Sequence, residues 1–321
     1  MKQSVNILII TIIILHLSTS CETKGDMFET FPVKEIPFGN FPDHAVKNIC
    51  FLNKNSGFIS FSKDTIMKTT DGCKSFTVSL AKPFEVFNVI RFINDKVGFV
   101  AGNSNLLYKT IDGGQTWQQL KLQVSINDLT DLVCLNADTI FVASSTADST
   151  TGGYIFKTID GGKSWVETPT NDILKLCFVN DHIGFACGND GIMKTIDGGI
   201  TWQTVSKQSA TEIVFSSDNE GYVVFHRTVY GTHDGGKSWN TIKEIVDRHW
   251  VIGVDDSKIE SLQLFHHNEI LFTLNSKLLK VSNNGLTWRQ YEFTRPYIQL
   301  QMMNADTGFI YGYQNLIMVT F

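Results

Sequence analysis

The chain has 321 residues, a formal net charge of −5 and 18% charged residues. An acidic balance without a basic run excludes the clustered Lys and Arg by which proteins displace counterions from nucleic acid. The length allows one domain with a sizeable core, and no low-complexity tract interrupts it.

Taken from the N-terminus, Met1–Ser20 reads as an export signal: Lys2, then an apolar stretch from Val5 to Leu17, then small residues ahead of Cys21. Leu17-Ser18-Thr19-Ser20-Cys21 resembles a bacterial lipoprotein box, with Ser18 where Leu is usual. Lipid on Cys21 is therefore expected, with residues 21–27 as a tether and residues 28–321 as the folded domain. A plain signal peptide or an uncleaved anchor is the alternative. No other segment is long and apolar enough to span a bilayer. The expected location is the bacterial cell envelope, periplasmic or surface-facing.

The rest of the chain is organised by one recurring phrase. It reads Lys109-Thr-Ile-Asp112-Gly-Gly-Gln-Thr116-Trp117, and returns around Asp160 with Trp165, Asp197 with Trp202, and Asp234 with Trp239. Weaker copies surround Asp71, ending in Phe76, and Asn283, ending in Trp288. Successive copies lie 41, 48, 37, 37 and 49 residues apart, the length of a four-stranded propeller blade. A unit of this size cannot bury its own apolar face, so the copies must stack. Between Asp160 and Asp197 the runs Ile173–Val179, Ile183–Cys187, Ile192–Ile196 and Thr201–Val205 are separated by Gly, Asn and Asp, and read as strands joined by tight turns. In the phrase itself the Asp carboxylate can accept backbone amides of its own turn, Gly takes positive φ, and Trp supplies a flat wedge between sheets. Because these Asp residues recur on turns in every unit, a structural role is expected for them in preference to catalysis or metal binding.

The pattern Ser/Thr-x-Asp-x-Gly-x-Thr-Trp is the Asp-box, or BNR repeat. With strands such as Gly98-Phe-Val-Ala-Gly102 and Gly184-Phe-Ala-Cys-Gly188 ahead of the boxes, residues 28–321 resemble the photosystem II stability/assembly factor-like family. That resemblance implies an all-β, seven-bladed β-propeller that assists assembly of a membrane complex; no cofactor is expected. Sialidases, sortilin-type receptors and xyloglucanases also carry Asp-boxes. Six boxes are visible, and Tyr297–Met303, Thr307–Tyr313 and Gln314–Phe321 supply three strands of a seventh blade. An edge would be left open. Phe28–Pro37 is expected to close it from outside, its prolines suiting an edge strand.

Chemistry is harder to find. A sialidase-like or other glycoside hydrolase is the alternative reading. The chain has only Arg91, Arg227, Arg248, Arg289 and Arg295, and Phe31-Pro32-Val33-Lys34 is not the Arg motif that resemblance to sialidases would require. No metal site is expected. His266-His267 are adjacent, and neighbouring strand residues face opposite sides. Cys50, Cys134 and Cys177 read as small core residues in one shared register of three first strands. Cys177 and Cys187 lie on neighbouring strands, where a disulfide is the alternative to free thiols. Arg91 falls in that same register, so it should sit near the axis, lining the channel or pairing in the core.

The boxes should share one face of the disc, and the loops entering each blade should share the other. The irregular insertions Ser144–Gly153 and Ile242–Glu260 fall on that entry face, where binding usually resides. Trp250 is the one Trp outside a box. With Arg248, His249, Arg227, Arg295 and Tyr297 it forms the expected partner-binding patch, either as an exposed anchor or as a cap on a neighbouring loop. The expectation is a monomeric, non-catalytic propeller that binds a protein or glycan partner.

Overall fold

The computed structural model describes residues 27–28, 33–36, 46–62, 64–124, 126–145, 152–244, 259–265, 269–274, 277–282, 287–292, 299–303, 307–312 and 315–320. They form seven sheets arranged as a β-propeller. The innermost strands are Val46–Phe51, Phe87–Phe92, Asp128–Cys134, Ile173–Phe178, Glu212–Phe215, Ile259–Phe265 and Gln299–Met302, one per blade. Blade 4 continues outward through Gly184–Gly188, Gly191–Thr195 and Gln203–Ser206, close to the strands read from its sequence. Each innermost strand packs on the next, and the last blade returns to the first. No described helix is long and apolar enough to cross a membrane.

The ring is closed by Val33–Ile36, which pairs antiparallel with the last strand, Val33 opposite Val319 and Ile36 opposite Leu316. Of the expected closing segment Phe28–Pro37, Val33–Ile36 forms this strand, and residues 29–32 and 37 lie outside the described residues. Met27–Phe28 instead runs parallel to the outermost strand of blade 6, opposite Arg289 and Gln290. The N-terminal segment covers the open edges of two adjacent blades, which gives both exposed ladders a partner.

Five boxes share one geometry. Asp112 Oδ1 accepts from the Gln115 and Thr116 amides at 3.0 and 2.9 Å and from the Thr110 hydroxyl at 2.8 Å. The Thr116 hydroxyl donates to Oδ2 at 2.6 Å, and Thr110 Oγ1 accepts the Gly114 amide at 2.9 Å. The same set surrounds Asp71, Asp160, Asp197 and Asp234. The Ser75 and Thr116 hydroxyls, with the turn amides, hold the Asp71 and Asp112 carboxyls down at about 2. Each box also bonds the first turn of its own blade, as Gly113 N does with Lys96 O at 2.8 Å, so the boxes and those turns lie on one face. Asn283 lies outside the described residues. Trp288 falls on the outermost strand of blade 6, opposite Val281.

Blades adhere through a repeated aromatic joint. The second-strand Phe of one blade stacks on the first-strand Phe of the next: Phe58 on Phe92 at 4.1 Å, Phe141 on Phe178 at 4.2 Å, Phe185 on Phe215 at 3.5 Å, and Phe309 on Phe51 at 3.9 Å across the closure. The box Trp meets the first-strand Phe edge-on, as Trp117 does Phe92 at 6.0 Å. The box Lys reaches the following blade: Lys68 Nζ donates to Gly113 O at 2.7 Å and Lys109 Nζ to Gly161 O at 2.8 Å.

The first-strand Phe fits because a glycine lies beneath it. A Cβ on Gly57 or Gly184 would stand 2.5 Å from the ring of Phe51 or Phe178. Blade 3 reverses the pair, with Cys134 opposite the fully buried Ile140. This corrects the expected register of Cys134. It aligns with Phe51, Phe92 and Phe178, and Val133 is the true counterpart of Cys50, Arg91 and Cys177. Cys50 and Cys177 stand three residues before the Asn of their turn, whereas Cys134 stands two before Asn136. Cys177 and Cys187 are both free, as are Cys50, Cys73 and Cys134.

Candidate site at the channel mouth

Five innermost strands carry the same irregularity at their entry end. The ladder register shifts between Val46 and Asn48, Phe87 and Val89, Leu129 and Asp131, Ile173 and Lys175, and Ile259 and Ser261. Each bulge leaves one residue out of the ladder, and bulges commonly re-aim a side chain beside a site. The five extra residues are Lys47, Asn88, Thr130, Leu174 and Glu260, and all five line one open cavity of about 540 Å³. Val86 from the entry loop of blade 2, Asn103 from its second-to-third-strand turn, and Asp128 and Ser145 from strand ends of blade 3 come to the same cavity, which places it on the face opposite the boxes.

Below the rim, charged and amide side chains connect neighbouring blades. Arg91 Nη2 lies 3.6 Å from Asp131 Oδ1, and Lys175 Nζ lies 3.5 Å from Glu212 Oε1. Asp131 Oδ2 accepts the Leu176 amide at 2.9 Å, and Asn48 Oδ1 accepts the Ile90 amide at 3.2 Å. Gln301 accepts the Phe51 amide at 3.2 Å, and Cys177 Sγ takes the Phe215 amide at 3.3 Å. These contacts answer a requirement of the fold. The axial edge of each innermost strand has no partner strand, so side chains of the preceding blade satisfy its amides.

Glu212 beside Lys175 raises that ammonium well above the ordinary Lys value, against the opposing effect of burial. Burial pushes the Tyr311 hydroxyl up, and Tyr311 donates to Gln299 at the cavity. Burial also raises the Cys50 thiol, and takes Cys177 to about 11. Thiols held this high are not thiolates at neutral pH, so neither is an activated nucleophile. Among the described residues, no group of three or more His, Cys, Asp or Glu is placed to hold a metal ion.

Arg91 lines the cavity, with its guanidinium 3.6 Å from Asp131. Arg227 lies in the turn between Gly221–Phe225 and Thr228–Thr232 of blade 5, on the entry face. Cys21, Arg248, His249, Trp250, Arg295, Tyr297 and the His266-His267 pair lie outside the described residues. The rim residues Lys47, Asn88, Thr130 and Glu260 were not singled out from the sequence. A usable signal was present in Asn48, Asp131, Lys175 and Glu212, which are polar residues inside strands that otherwise read as apolar.

The sequence family described as Photosynthesis system II assembly factor YCF48 matches residues 35–171, from the closing strand to the end of blade 3. No curated protein is a significant match. A YCF48 solved bound to a D1 peptide is 17% identical, with a TM-score of 0.69 over 92% of this chain and 97% of that one. YCF48 from Cyanidioschyzon merolae is 13% identical, with a TM-score of 0.65 over 90% of this chain and 98% of that one. An ancestral GH74 enzyme is also 13% identical, with a TM-score of 0.52 over 88% of this chain and 36% of its own. At these identities the solved structures speak to fold alone. By sequence over blades 1 to 3, and by fold over nearly its whole length, this chain resembles the photosystem II assembly factor-like propellers.

Proposed function

We propose that this protein is an exported, lipid-anchored assembly factor that does no chemistry itself and holds a segment of a membrane-protein partner on its entry face. The observation that carries the reading is the channel mouth. Five bulges direct five side chains into one open polar cavity, on a propeller similar to one solved with a D1 peptide. Four of its charges form two pairs across blades, Arg91 with Asp131 and Lys175 with Glu212, which suits hydrogen bonding to a peptide better than attack on a substrate. A glycan is the alternative ligand, and glycoside hydrolysis the alternative activity, on the likeness to the GH74 propeller. Asp131 and Glu212 are each engaged by a cation, unlike a carboxyl pair left open to a glycosidic bond.

Site-specific photo-crosslinkers at Lys47 on the entry face and Lys163 on the box face test the reading in intact cells. A discrete membrane-protein adduct from position 47 alone is expected. Adducts from position 163 alone would overturn it. Loss of metabolic acyl labelling in Cys21→Ser tests the anchor.

A further inference from the structure

We infer that Phe84 is the aromatic anchor by which the entry face takes an apolar side chain of an extended partner peptide. This rests on the peptide-binding reading above and names what the peptide must offer.

Phe84 is 99% exposed, the most exposed large apolar side chain among the described residues. Isolated exposed apolar residues are ordinary, so exposure alone decides little. The backbone decides more. Phe84 has φ +69, and the Glu85 amide donates to Lys82 O at 3.2 Å. With Pro83 at the second position this is a type II turn, whose third position calls for Gly or Asn. A bulky aromatic there is strained, and strain of this kind collects at functional sites. Among the described residues, the other exposed or half-exposed non-glycine residues in left-handed conformation are Asp64, Ser104, Asn105 and His226, all polar; Cys73 is buried. Phe84 therefore accepts a strained backbone without any burial of its ring to offset it.

The turn is also held rigidly. Asp64 N donates to Glu85 O at 3.0 Å, and Lys82 N donates to Asp64 O at 2.8 Å, fastening it to the neighbouring hairpin of blade 1. The Lys82 ammonium lies 5.2 Å from the centre of the Tyr108 ring. Two residues after Phe84, Val86 lines the channel mouth, its amide bonded to Asn103 Oδ1 at 2.8 Å. A solvent-facing ring on a fastened turn, two residues from the lining of a polar cavity, matches the pattern of binding hot spots, an aromatic whose backbone ordering cost is met before the partner arrives. An extended peptide fits both parts, its backbone over the polar mouth and one apolar side chain against the ring.

The test uses displayed random dodecapeptides selected on the full mature chain, with Phe84→Gly, Phe84→Asn and Lys47→Glu as comparisons. Gly and Asn both accept the left-handed turn, so each variant keeps or raises the thermal midpoint while removing the ring. Wild-type selection is expected to enrich peptides around one aromatic or branched aliphatic position. Their affinity should fall about 30-fold in both Phe84 variants, the scale of a hot-spot residue. Peptides that lose binding in Lys47→Glu yet bind the Phe84 variants as tightly as wild type would overturn the inference and leave the entry-face reading standing. Failure to enrich peptides on wild type, or peptides insensitive to all three variants, would overturn both. A lowered midpoint in Phe84→Gly and Phe84→Asn would show that the ring supports the fold, and would also overturn the inference.

Discussion

The reversed pair in blade 3 offers a quantitative test of the blade joint. Cys134→Phe alone sets a ring against Ile140, which fills the space that a glycine leaves open beneath Phe51 and Phe178. Overpacking of this kind costs about 1–3 kcal/mol. Ile140→Gly alone removes a fully buried side chain and loosens a strand. The cavity costs about 2–5 kcal/mol and the glycine about 1 more. The double variant restores the Phe-over-Gly arrangement, and the new ring meets Phe99, against whose cluster Cys134 already packs. Aromatic pairing adds about 0.5–1.5 kcal/mol. The two changes should therefore couple favourably by about 2–4 kcal/mol, at or above the upper end of the range for contacting residues. Urea unfolding of the four proteins in the double-mutant cycle measures this coupling. A double variant that loses the sum of the two single losses would refute the joint as described.

Three further outcomes follow from the same geometry. The box carboxyls of Asp71 and Asp112 titrate near 2 when folded and near 4 when unfolded. Their contribution is thus complete above about pH 4 and lost as pH falls toward 2. The thermal midpoint should decline over that window, and less steeply in Asp71→Asn/Asp112→Asn; equal slopes would contradict it. Deleting residues 1–36 removes the partner of the strand Asn315–Thr320. Light scattering should then show association through the exposed edge, and a stable monomer would argue against closure by that strand. Asp131→Ala removes the carboxylate beside Arg91 and leaves the Leu176 amide without its acceptor, at a cost of about 2–3 kcal/mol, because the carboxylate is buried and the guanidinium partly solvated. Chemical denaturation would read this as a lowered midpoint, and an unchanged midpoint would remove Asp131 from the inter-blade ties.

Much of the fold was legible because it is written locally. Each box closes its own turn with its own Thr, Asp, Gly and Ser or Thr, so the phrase, its spacing and its turn appear in the sequence without reference to any neighbour. Six blades followed from the phrase, and the seventh with its outer closing strand from the three strand runs between Tyr297 and Phe321. Register was less secure. Cys134 looked like Cys50 and Cys177 because each precedes a turn Asn, yet one residue fewer separates it from that turn, and in a strand one residue changes the face. The site was least legible. Lys47, Asn88, Thr130 and Glu260 face the mouth only because each sits in a bulge, and a bulge is a property of two paired strands.

By itself, then, the sequence determined a propeller of stacked Asp-box blades and the need for an N-terminal strand to close it, since hydrogen bonds within single turns and the period of the repeat carry that information. Only the tertiary structure decided what stands together at the axis. Arg91 meets Asp131, and Lys175 meets Glu212, across more than 35 residues of chain. Those partners are chosen by ring closure and strand register, which set unpaired axial amides of one blade against side chains of the blade before it.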